Sequence, residues 1–335
     1  MASRDVVVVG ASAGGVEALK ELVAGLPADL PATVLVVLHI PASGGNALAA
    51  ILDRAGPLQA RQAQHGEPLT PGTVRVAPPD HHLLVVEERL ALSLGPRENG
   101  HRPAVDVLFR SAARAVGPRC IGVVLSGALD DGSAGMLAVR LRGGIGVVQD
   151  PDDALQPGMP SSAIGAASPE HVVPAAQIAG IVARLAGEQV PDDVGAGPSE
   201  LMEVETAMAQ FDMSRIDGDD HPGSPAGFSC PDCSGALWSI EEAGMLRFRC
   251  RVGHAWSAES LLAQQSEALE GALWMALRSL EEKAALSRDL GRRAELDDRT
   301  LSAARFSGLA DEATNAARLI RDLLLAPARP DEDVG

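Results

Sequence analysis

Short, unbroken apolar runs alternate with helical periodicities over the first 187 residues. Val6–Val9, Thr33–Leu38, Val74–Ala77, Leu83–Val86, Ile121–Leu125 and Ile145–Val148 are rich in valine and isoleucine and contain little polar alternation. Runs of this kind suit strands covered on both faces. Helical spacing lies between several of them, over Val16–Ala24, Ala104–Val116 and Ser133–Leu141. The alternation predicts an α/β domain with a doubly wound, mostly parallel sheet, right-handed crossovers and helices on both faces. Leu83–Val86 and Leu90–Leu94 are close enough to form an antiparallel hairpin instead.

The pattern breaks after residue 187. Residues 188–226 hold ten acidic residues and a single basic one, Arg215, punctuated by proline and glycine. A solvated linker is expected there, with room for one short helix over Glu200–Gln210. Residues 227–257 form a compact module marked by Cys230, Cys233, Cys250 and His254. Residues 258–326 are helical: Leu262, Leu269, Leu273, Ala276, Leu280 and Ala284 recur at helical spacing. So do Leu301, Ala304, Leu309, Ala313, Ala317, Ile320 and Leu324. Two helices joined near Gly291–Thr300 would make an antiparallel hairpin or recruit a partner helix, which makes this region the expected seat of oligomerisation or docking. A disordered tail is expected over 327–335.

Composition narrows the function. The formal charge of −17 argues against a broad nucleic-acid or anionic-membrane surface. No apolar run is long enough for a signal-peptide core or a bilayer span, so a cytoplasmic protein without membrane insertion is expected. Aromatic residues make up 2% of the chain, so the core must be built from Val, Leu, Ile and Ala. Four cysteines, three of them clustered late, read as metal or redox chemistry in a reducing compartment. Cys120 enters a buried strand and reads as an inert core residue.

The opening stretch "VVVVGASAGG" carries the candidate chemistry. Its glycines follow a strand and precede a helix, as in dinucleotide sites, which motivates a nucleotide-binding oxidoreductase. The G-x-G-x-x-G pattern fails, however, because Ser12 occupies its second glycine position. The next strand also ends in His39, where a carboxylate is wanted for the ribose hydroxyls. The alternative is a nucleophile elbow: Gly10-Ala11-Ser12-Ala13-Gly14 satisfies G-x-S-x-G between strand and helix. A serine hydroxyl needs a base, and His39 lies at the same sheet edge. The base needs an orienting group, which "VVLSGALDDGSAG" supplies as Asp130 and Asp131 after a third strand. Ser126 ends that strand and reads as a hydrogen-bonding residue of the site. His65, His81, His82 and His101 lie in polar contexts and read as surface histidines.

Five segments in order carry a resemblance: "GASAGGVEAL", "LVVLHIP", "RPAVDVLFRSAA", "GVVLSGALDDGSAGM" and "GGIGVVQDPDDALQPGMPSSAI". Over about residues 5–187 they are similar to the catalytic domain of the chemotaxis-receptor methylesterases, the CheB family. The resemblance implies Ser12 as nucleophile, His39 as base and Asp131 as orienting acid. It implies hydrolysis of glutamate γ-methyl esters on a methyl-accepting chemoreceptor or similar signalling protein, often with deamidation of glutamine. Backbone N–H groups of Ala13 and Ala128 would hold the oxyanion, and the reaction would need no cofactor. Met159-Pro160 matches a family motif near the cleft.

Departures from the family pattern carry their own expectations. Its best-known members place a receiver domain before the esterase. The chain opens on the esterase strand, so that switch is expected to be missing and a separate response-regulator partner could supply it. Ala128 stands where a methionine is usual, and Leu129-Asp130 where Gly-Asn is usual. Asp130 then reads as a solvated turn residue or helix cap. An inactive esterase-fold scaffold is the competing reading that these departures motivate.

Cys230-x2-Cys233 and Cys250-x3-His254 have knuckle spacing. A Cys3His set closes a tetrahedral shell, so a structural zinc is expected. Phe228, Trp238, Phe248 and Trp256 are expected to form its small core.

Overall fold

The structure is a computed structural model that describes residues 2–43, 45, 47–191, 197–212 and 223–325. The acidic stretches 192–196 and 213–222 and the expected disordered tail lie outside the described residues. The chain divides into two units, Met1–Leu261 and Leu262–Gly335.

The first unit opens with β1 (Ala2–Ser3), β2 (Val6–Ala11), α1 (Gly15–Gly25), β3 (Thr33–Leu38) and α2 (Ala47–Ala55). It continues with β4 (Gln59–Gln62), β5 (Thr73–Val76), β6 (His82–Val86), β7 (Arg89–Ser93), α3 (Val105–Val116), β8 (Cys120–Val124) and α4 (Ser133–Leu141). Then come β9 (Ile145–Gln149), α5 (Gly158–Ala167), β10 (His171–Val173), α6 (Ala175–Leu185) and β11 (Gln189–Val190). Seven strands form one sheet in the order β10-β9-β8-β2-β3-β5-β4, and every pairing in it is parallel. This is the doubly wound sheet expected from the apolar runs. β6 and β7 stand apart as an antiparallel hairpin, the second of the two arrangements their spacing allows.

The sheet separates two apolar cores. Val7, Val9, Val34 and Val36 face α1 and α6 residues such as Leu19, Leu22, Ile178 and Val182. Val6, Val8, Leu35 and Val37 share the other core with Leu108 and Phe109 of α3 and Met136 of α4. Because β2 and β3 are buried on both faces, every residue of each must be apolar or small. From β2 the sheet extends one way to β3 and the other way to β8, so the crevice at its carboxyl end is the switch point where open α/β sheets bind ligands.

Helix α7 (Glu200–Gln210) falls within the expected linker, but it is not solvated. Ser199 caps it by accepting from Met202 N, and Met202, Glu205, Ala207 and Met208 are buried. The cysteine module follows as an antiparallel sheet of β12 (Ser224–Ser229), β13 (Ala236–Glu242), β14 (Met245–Cys250) and β15 (Ala255–Ser257). Its core is Cys230, Leu237, Phe248, Cys250, Trp256 and Leu261. Two of the four expected aromatics are absent from that core: Phe228 is exposed and meets Phe248 edge-on, and Trp238 is half-buried.

A buried ion cluster joins these pieces. Arg110 Nη2 of α3 donates to Glu98 Oε1 at 2.6 Å. Arg249 of β14 donates to Glu98 at 3.0 Å and to Glu205 of α7 at 2.9 Å. Arg247 donates to Glu205 at 2.7 Å. Burial alone would raise the Glu205 carboxyl, but the charges of Arg247, Arg110 and Arg249 outweigh it and hold Glu205 well below the usual carboxylate range.

The second unit holds most of α8 (Ala258–Leu296) and all of α9 (Thr300–Leu325). They run antiparallel: Glu281 pairs with Arg321, and Gly291 lies beside Phe306. Helix α8 continues through Gly291, so the turn is shorter than the spacing suggests. Leu277, Ala284, Ala294, Ala303, Ala310, Ala313 and Ala317 are buried, whereas Leu262, Leu269 and Leu301 of the expected stripe are exposed.

Removing Glu205 leaves three buried guanidinium groups under-neutralised, with Arg110 and Arg249 sharing Glu98 and Arg247 holding only Glu242. Glu205→Ala is therefore expected to lower stability by about 3–5 kcal/mol, read from urea unfolding of the full chain. A loss under about 1 kcal/mol would show that the cluster is solvated.

Candidate active site

Ser12 follows β2, His39 follows β3, and Ser126–Asp131 follow β8, so three adjacent strands deliver their side chains to one crevice. The first turn is sharp. Gly14 has φ 77°, and an added Cβ there would lie 2.7 Å from both Leu155 Cβ and Ser126 Oγ. Gly127 is equally constrained, since a Cβ would meet Met159 Sδ at 2.0 Å and Ser12 Cβ at 2.9 Å. Met159 is thus buried against Gly127, beneath the turn that faces Ser12.

His39 Nδ1 lies 3.1 Å from Ser12 Oγ, and its Nε2 lies 2.7 Å from Asp131 Oδ2. The ring is turned relative to the commoner arrangement, in which Nε2 faces the serine. The chemistry is the same provided that Nε2 carries the proton. A nitrogen lone pair then faces the hydroxyl, and an N–H faces the carboxylate.

Asp131 is buried and accepts from every side. Besides His39, Oδ2 accepts from Val105 N at 2.7 Å. Oδ1 accepts from Asp106 N at 3.1 Å, Gly132 N at 3.0 Å and Asn99 Nδ2 at 3.2 Å. Val105 and Asp106 open helix α3, so two of these donors are free helix N–H groups. Burial would raise the carboxyl, but the hydrogen bond and charge of His39 and the Val105 N–H hold it well below its usual range. Asp106 behaves oppositely. Burial and the charge of Asp131 push it well up, against hydrogen bonds from Gly135 N and Gly132 N.

Ser126 hydrogen-bonds within the site, as its place in the sequence suggests. Its Oγ donates to Ala13 O at 2.8 Å and accepts from Gln156 N at 3.0 Å. Ser12 N donates to Ser126 O at 2.9 Å. Ala13 and Ala128 are exposed beside Ser12, and among the described residues their N–H groups have no acceptor.

Three groups read otherwise in the sequence are corrected here. Asp130 is buried rather than solvated, and it accepts from Ser257 Oγ at 2.6 Å and Ser260 Oγ at 2.7 Å. His82 is fully buried rather than on the surface, bonded to Pro96 O and Ala104 N, and burial pushes it down to about 4. His101 stacks on His39 with ring centroids 3.6 Å apart and planes 14° from parallel. Burial and the charge of His39 push His101 down to about 4. Asn99 and Asp106 were missed as site residues. One signal was available: Asn99-Gly100 is a type I′ hairpin dipeptide, and both residues have positive φ.

Cys230, Cys233, Cys250 and His254 meet at one end of the cysteine module. Their ligand atoms all lie within 4.8 Å of one another. Cys233 Sγ and Cys250 Sγ are 3.6 Å apart, and His254 Nδ1 is 3.5 Å from Cys250 Sγ. Four ligands about 2.3 Å from one ion stand roughly 3.8 Å apart in a tetrahedron, so the set fits zinc. Cys120 is buried in β8, and burial pushes its thiol up to about 12.

A hydroxyl, an imidazole and a buried carboxylate at the ends of adjacent parallel strands define the site layout of a serine hydrolase on a doubly wound α/β sheet. Residues 7–182 match the CheB methylesterase family. The chain belongs to that family. It is 40% identical over 186 residues to a protein-glutamate methylesterase/protein-glutamine glutaminase of Symbiobacterium thermophilum, covering 55% of this chain and 51% of the relative. It is 44% identical over 188 residues to one from Anaeromyxobacter dehalogenans, covering 55% and 52%. The chain spans about half the length of the curated relatives it matches. The Thermotoga maritima CheB methylesterase catalytic domain superposes with a TM-score of 0.53 at 34% identity, covering 55% of this chain and all of that one. Among the described residues no helix is long and apolar enough to cross a membrane.

His101 is expected to stay neutral while His39 gains and loses a proton. Ring nitrogen NMR at pH 6 should give His101 the neutral pattern. A protonated His101 at that pH would contradict the stacked geometry.

Proposed function

We propose that this protein is a protein-glutamate methylesterase that hydrolyses glutamate γ-methyl esters on chemoreceptor-like proteins and deamidates glutamine at the same site. The observation that carries the reading is the hydrogen-bonded row Ser12–His39–Asp131 beside two free N–H groups. Ser12 Oγ attacks the ester carbonyl as His39 Nδ1 takes its proton. The N–H groups of Ala13 and Ala128 stabilise the tetrahedral oxyanion. His39 gives the proton to the ester's methoxy oxygen, which leaves as methanol, or to the amide nitrogen of glutamine, which leaves as ammonia. Water then attacks the glutamyl-enzyme as His39 takes its proton, and His39 passes that proton to Ser12 Oγ as the acyl–oxygen bond breaks. Asp131 holds the ring and stabilises the imidazolium without being protonated. His101, neutral, stacks on that imidazolium without opposing its charge.

The four ligands of the cysteine module are read as a closed, structural zinc site. A zinc held by Cys230, Cys233, Cys250 and His254 would supply folding energy to the module, while the ester chemistry uses side chains and backbone N–H groups of the Ser12 site.

Ser12→Ala is expected to cut methanol release from methylated receptor by at least about 10³-fold with the fold intact. Turnover within threefold of wild type sinks the esterase reading. Purified protein is expected to carry one zinc per chain, released on titration of the thiols with a mercurial. A folded, metal-free protein with freely titrating thiols counts against the zinc assignment.

A further inference from the structure

The hairpin Arg97–His101 stands between the cysteine module and the active site. Glu98 N and His101 O, and His101 N and Glu98 O, bond across it at 3.2 and 2.9 Å, with Asn99-Gly100 at the tip. Its outer edge pairs with β15: Asn99 N donates to Ala255 O at 2.8 Å, and Ala255 N donates to Arg97 O at 3.2 Å. The Asn99 amide is fixed at both ends. Its oxygen accepts from Ser257 N at 2.8 Å, which turns its nitrogen toward Asp131 Oδ1 and Asp106 Oδ2, each at 3.2 Å. Without the Ser257 N–H the amide would lose the donor that anchors its oxygen and holds its nitrogen in place against the carboxylates. Two residues on, His101 packs flat on His39. A single hairpin therefore holds the acid from behind and the imidazole from its face.

β15 starts one residue after His254, and β14 ends at Cys250. The loop joining the two strands that grip the hairpin is thus the loop that carries two of the four ligands. It is closed by Cys250 N to His254 O at 3.0 Å and Gly253 N to Cys250 O at 2.9 Å. From the same module Arg249 reaches Glu98, next to Asn99, and Ser257 Oγ reaches Asp130, next to Asp131. A core of six side chains is small for a four-stranded sheet, and a metal is the usual support for so small a module.

We propose that the cysteine module is the positioning device for the Asp131–His39 pair, acting through Asn99, so that metal bound by Cys230, Cys233, Cys250 and His254 is required for full turnover at Ser12. Asn99 is a positioning residue: it touches neither substrate nor Ser12 and acts by fixing the carboxylate. The turnover clause rests on the esterase reading, whereas the geometric clause does not.

The test uses the full chain with two variants and two readouts. Cys233→Ser removes an exposed ligand. Asn99→Ala leaves the metal ligands in place and removes the amide that joins Ser257 N to Asp131 and Asp106. The first readout is the strongly downfield proton of the 2.7 Å His39 Nε2–Asp131 hydrogen bond in the free protein. The second is the steady-state split between kcat and KM for methanol release. Both variants should shift or broaden that proton and lower kcat roughly tenfold or more, with KM within about twofold. Asn99→Ala should keep its zinc, and Cys233→Ser should lose it. Removing zinc from wild type with a chelator should reproduce the Cys233→Ser spectrum, and restoring zinc should reverse it. An unchanged resonance in folded, zinc-free protein or in Asn99→Ala overturns the proposal. A wild type that shows the resonance but releases no methanol overturns the esterase reading, and the resonance still tests the coupling.

Discussion

A carboxylate taken out of water must be surrounded by donors or it will not stay ionised. Asp131 is that group here, and much of the first unit is arranged around it. The α3 helix begins where its first N–H groups meet Asp131. Gly10 has no side chain because a Cβ would lie 2.2 Å from Val105, the residue that opens α3. Asp106, the next residue in that helix, accepts from Gly132 and Gly135 and so pins the turn that follows Asp131. Both carboxylates collect donors, and their shared burial drives them apart: Asp131 is held down while its charge helps push Asp106 up.

The same requirement explains why a distant module touches the site. Asn99 supplies one of Asp131's donors, but an amide can present either end. Its nitrogen must face the carboxylates, and its oxygen is anchored by a backbone N–H that arrives from the cysteine module. Behind Asn99, Glu98 is neutralised by arginines from both α3 and β14. Charge neutralisation and amide orientation are therefore shared between segments far apart in sequence, and neither is complete within the family-matched portion.

Legibility in the sequence followed the range of the interactions. The central strands were readable because burial on both faces forces continuous valine-rich runs. β4 and β10 were not, since as edge strands they mix polar and apolar positions. Ser12 and His39 were readable because each follows a recognisable strand directly, and Asp131 because it lies in the turn between a recognisable strand and the next helix. Asn99 was not, because its partner Ser257 lies 158 positions away. Glu205 looked like one more acid in a solvated linker. Its burial depends on Arg247 and Arg249, which lie beyond it in the chain. Asp130 was misread for the same reason, its partners being Ser257 and Ser260.

The buried ion cluster also bears on how this chain can be divided. A boundary drawn by similarity falls near residue 182, whereas the forces draw it near residue 261. Cutting at the first line would strip Glu98 and Arg110 of three of their charged neighbours and uncover the apolar patch where Leu84 and Val107 meet Ala209. The family match marks a segment of sequence. The smallest piece that keeps its own charges paired and its apolar surface covered is longer.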